Sequence, residues 1–64
     1  MSRVTPAERR ALEAVLAYGT TKEAAHALGK SPRTVEQQLA RVRERLDVGT
    51  TLEAVRRVFL DPHT

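Results

Sequence analysis

Cysteine is absent from these 64 residues, which rules out disulfide bridges and thiolate-held metals. Tryptophan is absent too, and Tyr18 and Phe59 are the sole aromatics. That is too few for the stacking platforms on which single-stranded nucleic acid and RNA are usually held. Gly19, Gly29 and Gly49 stand singly, so no glycine-rich loop can cradle a phosphate. No apolar run is long enough to cross a bilayer. The segment from Met1 to Pro6 lacks the apolar stretch of a secretory signal, and a cytoplasmic protein is expected. His26 and His63 are the only histidines, and no carboxylate spacing around them resembles a metal site, so neither metal nor cofactor is expected. Ser2 and Ser31 have no base partner in sequence that would make either a nucleophile. A chain this short also cannot wall off an ordinary catalytic cleft. It does not read as an enzyme.

What is present is material for one modest core and a succession of helix-start signals. Hydrophobic residues make up 41% of the chain, and its length suits a single domain over residues 1–64. Thr5, Pro6 and Glu8 form a capping box with proline at the first helical position. Leu12, Val15 and Leu16 follow at the spacing of one helix face, and Gly19 can end that helix. Thr20 and Glu23 repeat the box ahead of a short helix whose inward residues are Ala25 and Leu28, with Gly29 ending it. Ser31 and Pro32 open a third helix; Thr50 with Glu53 opens a fourth, which Asp61 and Pro62 close. β-branched residues do not alternate, and no Asn-Gly or Asp-Gly turn occurs. The fold class is all-α: a helix-turn-helix bundle with helices over about 6–18, 21–28, 32–46 and 51–60.

The third helix carries the most information. Val35, Leu39, Val42 and Leu46 fall within one narrow stripe when each residue turns about 100°, and that stripe must face the core. Opposite lie Arg33, Gln37 and Glu44, flanked by Ala40 and Arg41, with Glu36 and Arg43 on one side and Thr34, Gln38 and Arg45 on the other. The net charge of +3 is concentrated here: Lys30, Arg33, Arg41, Arg43 and Arg45 stand against only Glu36 and Glu44. Clustered positive charge is the footprint of a polyanionic partner. Arginine can pair bidentately with guanine and glutamine with adenine, and the small Ala40 allows close approach to base edges. The short second helix, the Gly29-Lys30-Ser31 turn and the long third helix make a helix-turn-helix arrangement. With so few aromatics, duplex DNA is favoured over RNA.

These residues resemble the LuxR-type (GerE-like) helix-turn-helix domain of bacterial regulators. The resemblance rests on Thr5-Pro6-Ala7-Glu8-Arg9, Lys22-Glu23-Ala24-Ala25, Leu28-Gly29, Ser31-Pro32-Arg33-Thr34-Val35, Leu46, Val48 and Glu53-Ala54-Val55, and it runs from about Val4 to Val58. It implies that the third helix enters the major groove and that the fourth often forms a dimer contact. It also implies phosphate contacts at Lys22 and Thr34 and base contacts at Glu36, Gln37 and Ala40. Four positions depart from the family pattern. Glu36 stands where a basic residue is frequent, Gln38 where histidine is common, Asp47 in place of a glycine, and Lys30 in place of an apolar turn residue. The family's base preference therefore does not carry over. The family domain usually follows a receiver or ligand-binding domain, and a free-standing protein of bacterial or phage origin is expected here.

The fourth helix has more apolar surface than one face can bury. Leu52, Val55 and Phe59 make one stripe, expected in the core; Ala54 and Val58 make a second, expected at a homodimer interface. The expected function is sequence-specific duplex DNA binding by a small transcriptional regulator. Arg33, Glu36, Gln37, Ala40 and Arg41 would read bases, and Lys22, Lys30, Thr34, Arg43 and Arg45 would hold phosphates. The alternative is a protein-interaction module on the same scaffold, which binds or sequesters a host regulator or a polymerase component. A promoter-binding region like those of sigma factors shares the architecture but normally belongs to a longer chain.

Overall fold

Local capping chemistry explains where each helix begins. In the computed structural model, which describes residues 4–60, α1 runs Pro6–Tyr18, α2 Thr21–Leu28, α3 Pro32–Leu46 and α4 Thr51–Val55. From Arg56 the chain continues α4 as a π-helical turn, Arg56–Leu60. No strand occurs among the described residues. The expected closure of the fourth helix at Asp61 and Pro62, and the second histidine, His63, lie outside them. At α1 both halves of the capping box form: the Glu8 N–H donates to Thr5 Oγ1 at 3.2 Å, and the Thr5 N–H to Glu8 Oε1 at 3.1 Å. At α2 only the Thr20 half forms, with Glu23 N–H donating to the threonine hydroxyl at 3.1 Å. Ser31 accepts from Thr34 N–H at 3.1 Å and Thr50 from Glu53 N–H at 3.1 Å.

The helix ends differ in how they meet a common geometric demand. Past α2, Gly29 takes φ 69°, with its N–H on the His26 carbonyl and Lys30 N–H on the Ala25 carbonyl. This pair of reverse bonds is a Schellman motif, which needs a left-handed residue, and glycine supplies one without a Cβ clash. The same motif ends α3, where Asp47 N–H reaches the Glu44 carbonyl and Val48 N–H the Arg43 carbonyl. There the left-handed residue is Asp47 itself, at φ 55°, a conformation that costs a non-glycine residue energy.

The core forms where all four helices converge. Ala11 and Leu12 of α1, Ala25 of α2, Val35, Leu39 and Val42 of α3, and Ala54 and Val55 of α4 are buried together. Val15, Leu28, Leu46, Val48, Val58 and Phe59 pack around them. The stripe expected on α3 faces this core. Alanines at α1, α2 and α4 let the helices approach closely, but they contribute little apolar area, so this small core rests on few large side chains.

Two expected core residues lie outside it. Leu16 is 60% exposed, because the inward face of α1 is set one turn earlier, with Ala11 and Leu12 three and four residues after Glu8 and Val15 three after Leu12. Leu52 is 68% exposed. Burial of Ala54 fixes the rotation of α4, and Leu52 then lies roughly 160° away around the helix.

Candidate nucleic-acid interface

The buried face of α3 dictates what the opposite face presents. With Val35, Leu39 and Val42 fixed inward, Arg33, Glu36, Gln37, Arg41 and Glu44 are exposed, and Ala40 is half-buried among them. None of these side chains forms a hydrogen bond or ion pair with a described residue. Arg33, Gln37 and Arg41 succeed one another at four-residue steps and therefore make a continuous row of free donors. The structure thus groups all five residues expected to read bases on one accessible surface.

The five residues expected to hold phosphates do not share one fate. Lys22 and Lys30 are exposed and have no internal partner among the described residues. Thr34 is exposed, its N–H capped by Ser31 and its hydroxyl 2.9 Å from the Ser31 hydroxyl. Arg43 is instead half-buried and donates to Thr51 Oγ1 at 2.9 Å, tying α3 to the start of α4. Arg45 pairs with the buried carboxylate of Glu8, tying α3 to α1. The physical reason is their position: each lies on a flank of α3 within reach of a neighbouring helix. Both arginines brace α3 within the fold, unlike Lys22 and Lys30, which have no partner among the described residues.

The fourth helix also presents residues other than those expected. Ala54 is fully buried within the single chain and cannot offer a surface to a second copy. Val58 is half-buried and packs on the core. The exposed apolar residues of this segment are Leu52 and Leu60, the latter 70% exposed.

Sequence reasoning placed Glu8 in the cap of α1 but missed its second role as Arg45's partner. Its place on the inward row of α1 was the available signal, since a buried carboxylate there requires a cation. Thr51, Arg57 and Phe59 were also missed as α3 and α1 contacts. The Arg57 guanidinium donates to the Leu46 carbonyl at 3.3 Å, satisfying the C-terminus of α3. The Arg9 guanidinium lies 4.7 Å from the centroid of the Phe59 ring, a cation–π contact that holds the π-helical turn to α1. No group of side chains suited to holding a metal occurs among the described residues.

The fold and this surface define an all-α domain with an exposed, donor-rich face on its longest helix. No family model, curated protein or solved structure matches the chain.

Proposed function

We propose that the chain is a sequence-specific duplex DNA-binding domain of the helix-turn-helix class, acting as a small transcriptional regulator in the cytoplasm. The observation that carries this reading is the uncommitted row Arg33, Gln37 and Arg41, opposite the buried stripe of α3 and beside the small Ala40. Such a row can follow base edges along the major groove. Lys22 and Lys30, on α2 and in the turn, stand where they can engage phosphates, and Thr34 offers a further polar contact. The residue-by-residue resemblance to LuxR-type domains supports the same reading.

Binding to an inverted repeat calls for two copies. The exposed Leu52 and Leu60 supply an apolar surface for a homodimer contact through the fourth helix, in place of Ala54. Such a dimer would address half-sites about one helical turn of DNA apart.

Selection of bound duplexes from a random pool tests this function. Recovery of a defined sequence with two-fold symmetry is expected. Gln37→Ala should then weaken the selected site by about 1–3 kcal/mol while leaving random DNA binding unchanged. Negligible duplex affinity at moderate salt, together with tight binding to a transcription protein, would replace this reading with that of a protein-interaction module. The unpaired acidic residues Glu36 and Glu44 favour that second reading.

A further inference from the structure

Glu36 is an acidic residue on the exposed face of α3 with no role in holding the fold. It bonds to no described residue. It lies beyond the first turn of α3, which contains no acidic residue, and therefore outside the region where the helix dipole favours a carboxylate. Arg33, three residues earlier, does not pair with it. Arg43, on the same row two turns later, is committed to Thr51. The neighbour one turn on is Ala40, whose single methyl leaves the carboxylate room to approach a partner.

The chemistry of that approach is restrictive. An ionised carboxylate only accepts hydrogen bonds. Against a phosphate it would be repelled, so on a DNA-facing helix its favourable place is over base edges. Thymine O4 and the guanine O6 and N7 atoms are acceptors and offer it nothing. The remaining donors are the amino groups on cytosine C4 and adenine C6. Adenine sets its N7 lone pair beside that amino group, facing the second carboxylate oxygen with like polarity. Cytosine sets only a C–H there.

We infer that Glu36 is a specificity-determining residue that selects cytosine at one position of each half-site, an assignment that rests on the duplex-binding reading above. Replacement of that cytosine by any other base weakens binding by roughly 5- to 150-fold. The charge that makes Glu36 selective also lowers affinity for DNA in general, so the residue favours discrimination over tightness.

The test compares the intact chain with Glu36→Gln and Glu36→Ala, each passed through selection from a random duplex pool. Affinities are then measured on the preferred site carrying each of the four bases at each position. In the unaltered protein, one position per half-site should require cytosine. Glu36→Gln should move that position toward adenine, which glutamine can engage at both N6 and N7. Glu36→Ala should erase the preference there and bind random duplex more tightly. Unchanged preferences at every position in both variants would overturn the assignment while leaving duplex binding intact. Failure of the unaltered protein to select any duplex would overturn the underlying function instead. Because Glu36 is exposed and unpartnered, thermal unfolding of the variants should match that of the parent.

Discussion

Glu8 of α1 and Arg45 of α3 form an ion pair, and the same carboxylate oxygen accepts the backbone N–H of Thr5. One side chain thereby caps the first helix and fixes the last turn of α3 against it. The Glu8 side chain is 5% exposed and that of Arg45 40%. The buried carboxylate is tolerable because two donors meet it, and either donor alone would leave it under-compensated. Arg43, bonded to Thr51, fixes the opposite flank of α3 to α4. The two braces hold the C-terminal half of α3 from both sides, and its N-terminal half projects its polar row outward.

Removing Arg45 should therefore cost more than a surface arginine would. Arg45→Met keeps the packing of the aliphatic stem but strands the Glu8 charge, and a loss of about 1.5–3 kcal/mol is expected. That is below the full penalty of a wholly buried pair because Arg45 is part-exposed. Glu8→Gln can still accept from Thr5 and should cost about 1 kcal/mol. The double variant should lose less than the two single losses combined, as read by urea unfolding. Strictly additive losses would show that the two side chains are not coupled.

Asp47 offers the reverse case, a position where the native residue is not the most stable one. It occupies the left-handed region at φ 55°, and its charge lies at the C-terminal end of α3, where the helix dipole disfavours an anion. Asp47→Gly relieves both and should stabilise the domain by about 0.5–1.5 kcal/mol. That gain raises the melting midpoint by several degrees, roughly 4–8 °C per kcal/mol for a chain of this size. Asp47→Asn should gain a smaller part, because asparagine tolerates the left-handed region and removes the charge. A fall in midpoint for both would mean that the aspartate makes a stabilising contact.

The helix boundaries were legible because capping is local. Thr5 with Glu8, Thr20 with Glu23, and Ser31 with Pro32 each act within a single turn, and α1, α2 and α3 begin where those signals stand. The inward stripe of α3 was legible because four apolar residues over 12 positions fit only one face. The stripes of α1 and α4 were shorter, and that of α4 fitted two faces. Which face won depended on partners far along the chain: Arg45 admits Glu8 to the inner side of α1, and burial of Ala54 turns Leu52 outward. The same non-local contacts give Arg43 and Arg45 partners within the fold, a distinction that charge counting cannot make. The π-helical turn at Arg56 has no sequence signal that we can identify.

Exposure of Leu52 and burial of Ala54 make the dimer proposal testable by paired substitutions. Leu52→Ser with Leu60→Ser should leave the monomer's unfolding midpoint at low concentration nearly unchanged, since both side chains are exposed. If the fourth helix dimerises, the parent's midpoint should rise with protein concentration and that of the double variant should not. Ala54→Leu should instead destabilise the monomer by about 1–3 kcal/mol through overpacking. A concentration-independent midpoint in the parent, with a monomeric mass in solution, would remove the dimer.

Salt dependence separates the braces from the residues proposed to hold phosphates. Each phosphate neutralised contributes about −0.9 to the slope of log affinity against log salt. Lys22 is exposed and without an internal partner among the described residues, so Lys22→Ala should weaken all duplexes alike and reduce the slope by about one per copy bound. Arg45→Met should weaken the preferred site through misplacement of α3, yet leave the slope as it was, provided the measurement is made well below its lowered melting midpoint. The same holds for Arg43→Met, with loss of the Thr51 bond as its cause. A slope reduced by Arg45→Met as much as by Lys22→Ala would return Arg45 to the phosphate-binding set and make its pairing with Glu8 an exchangeable contact of the free protein.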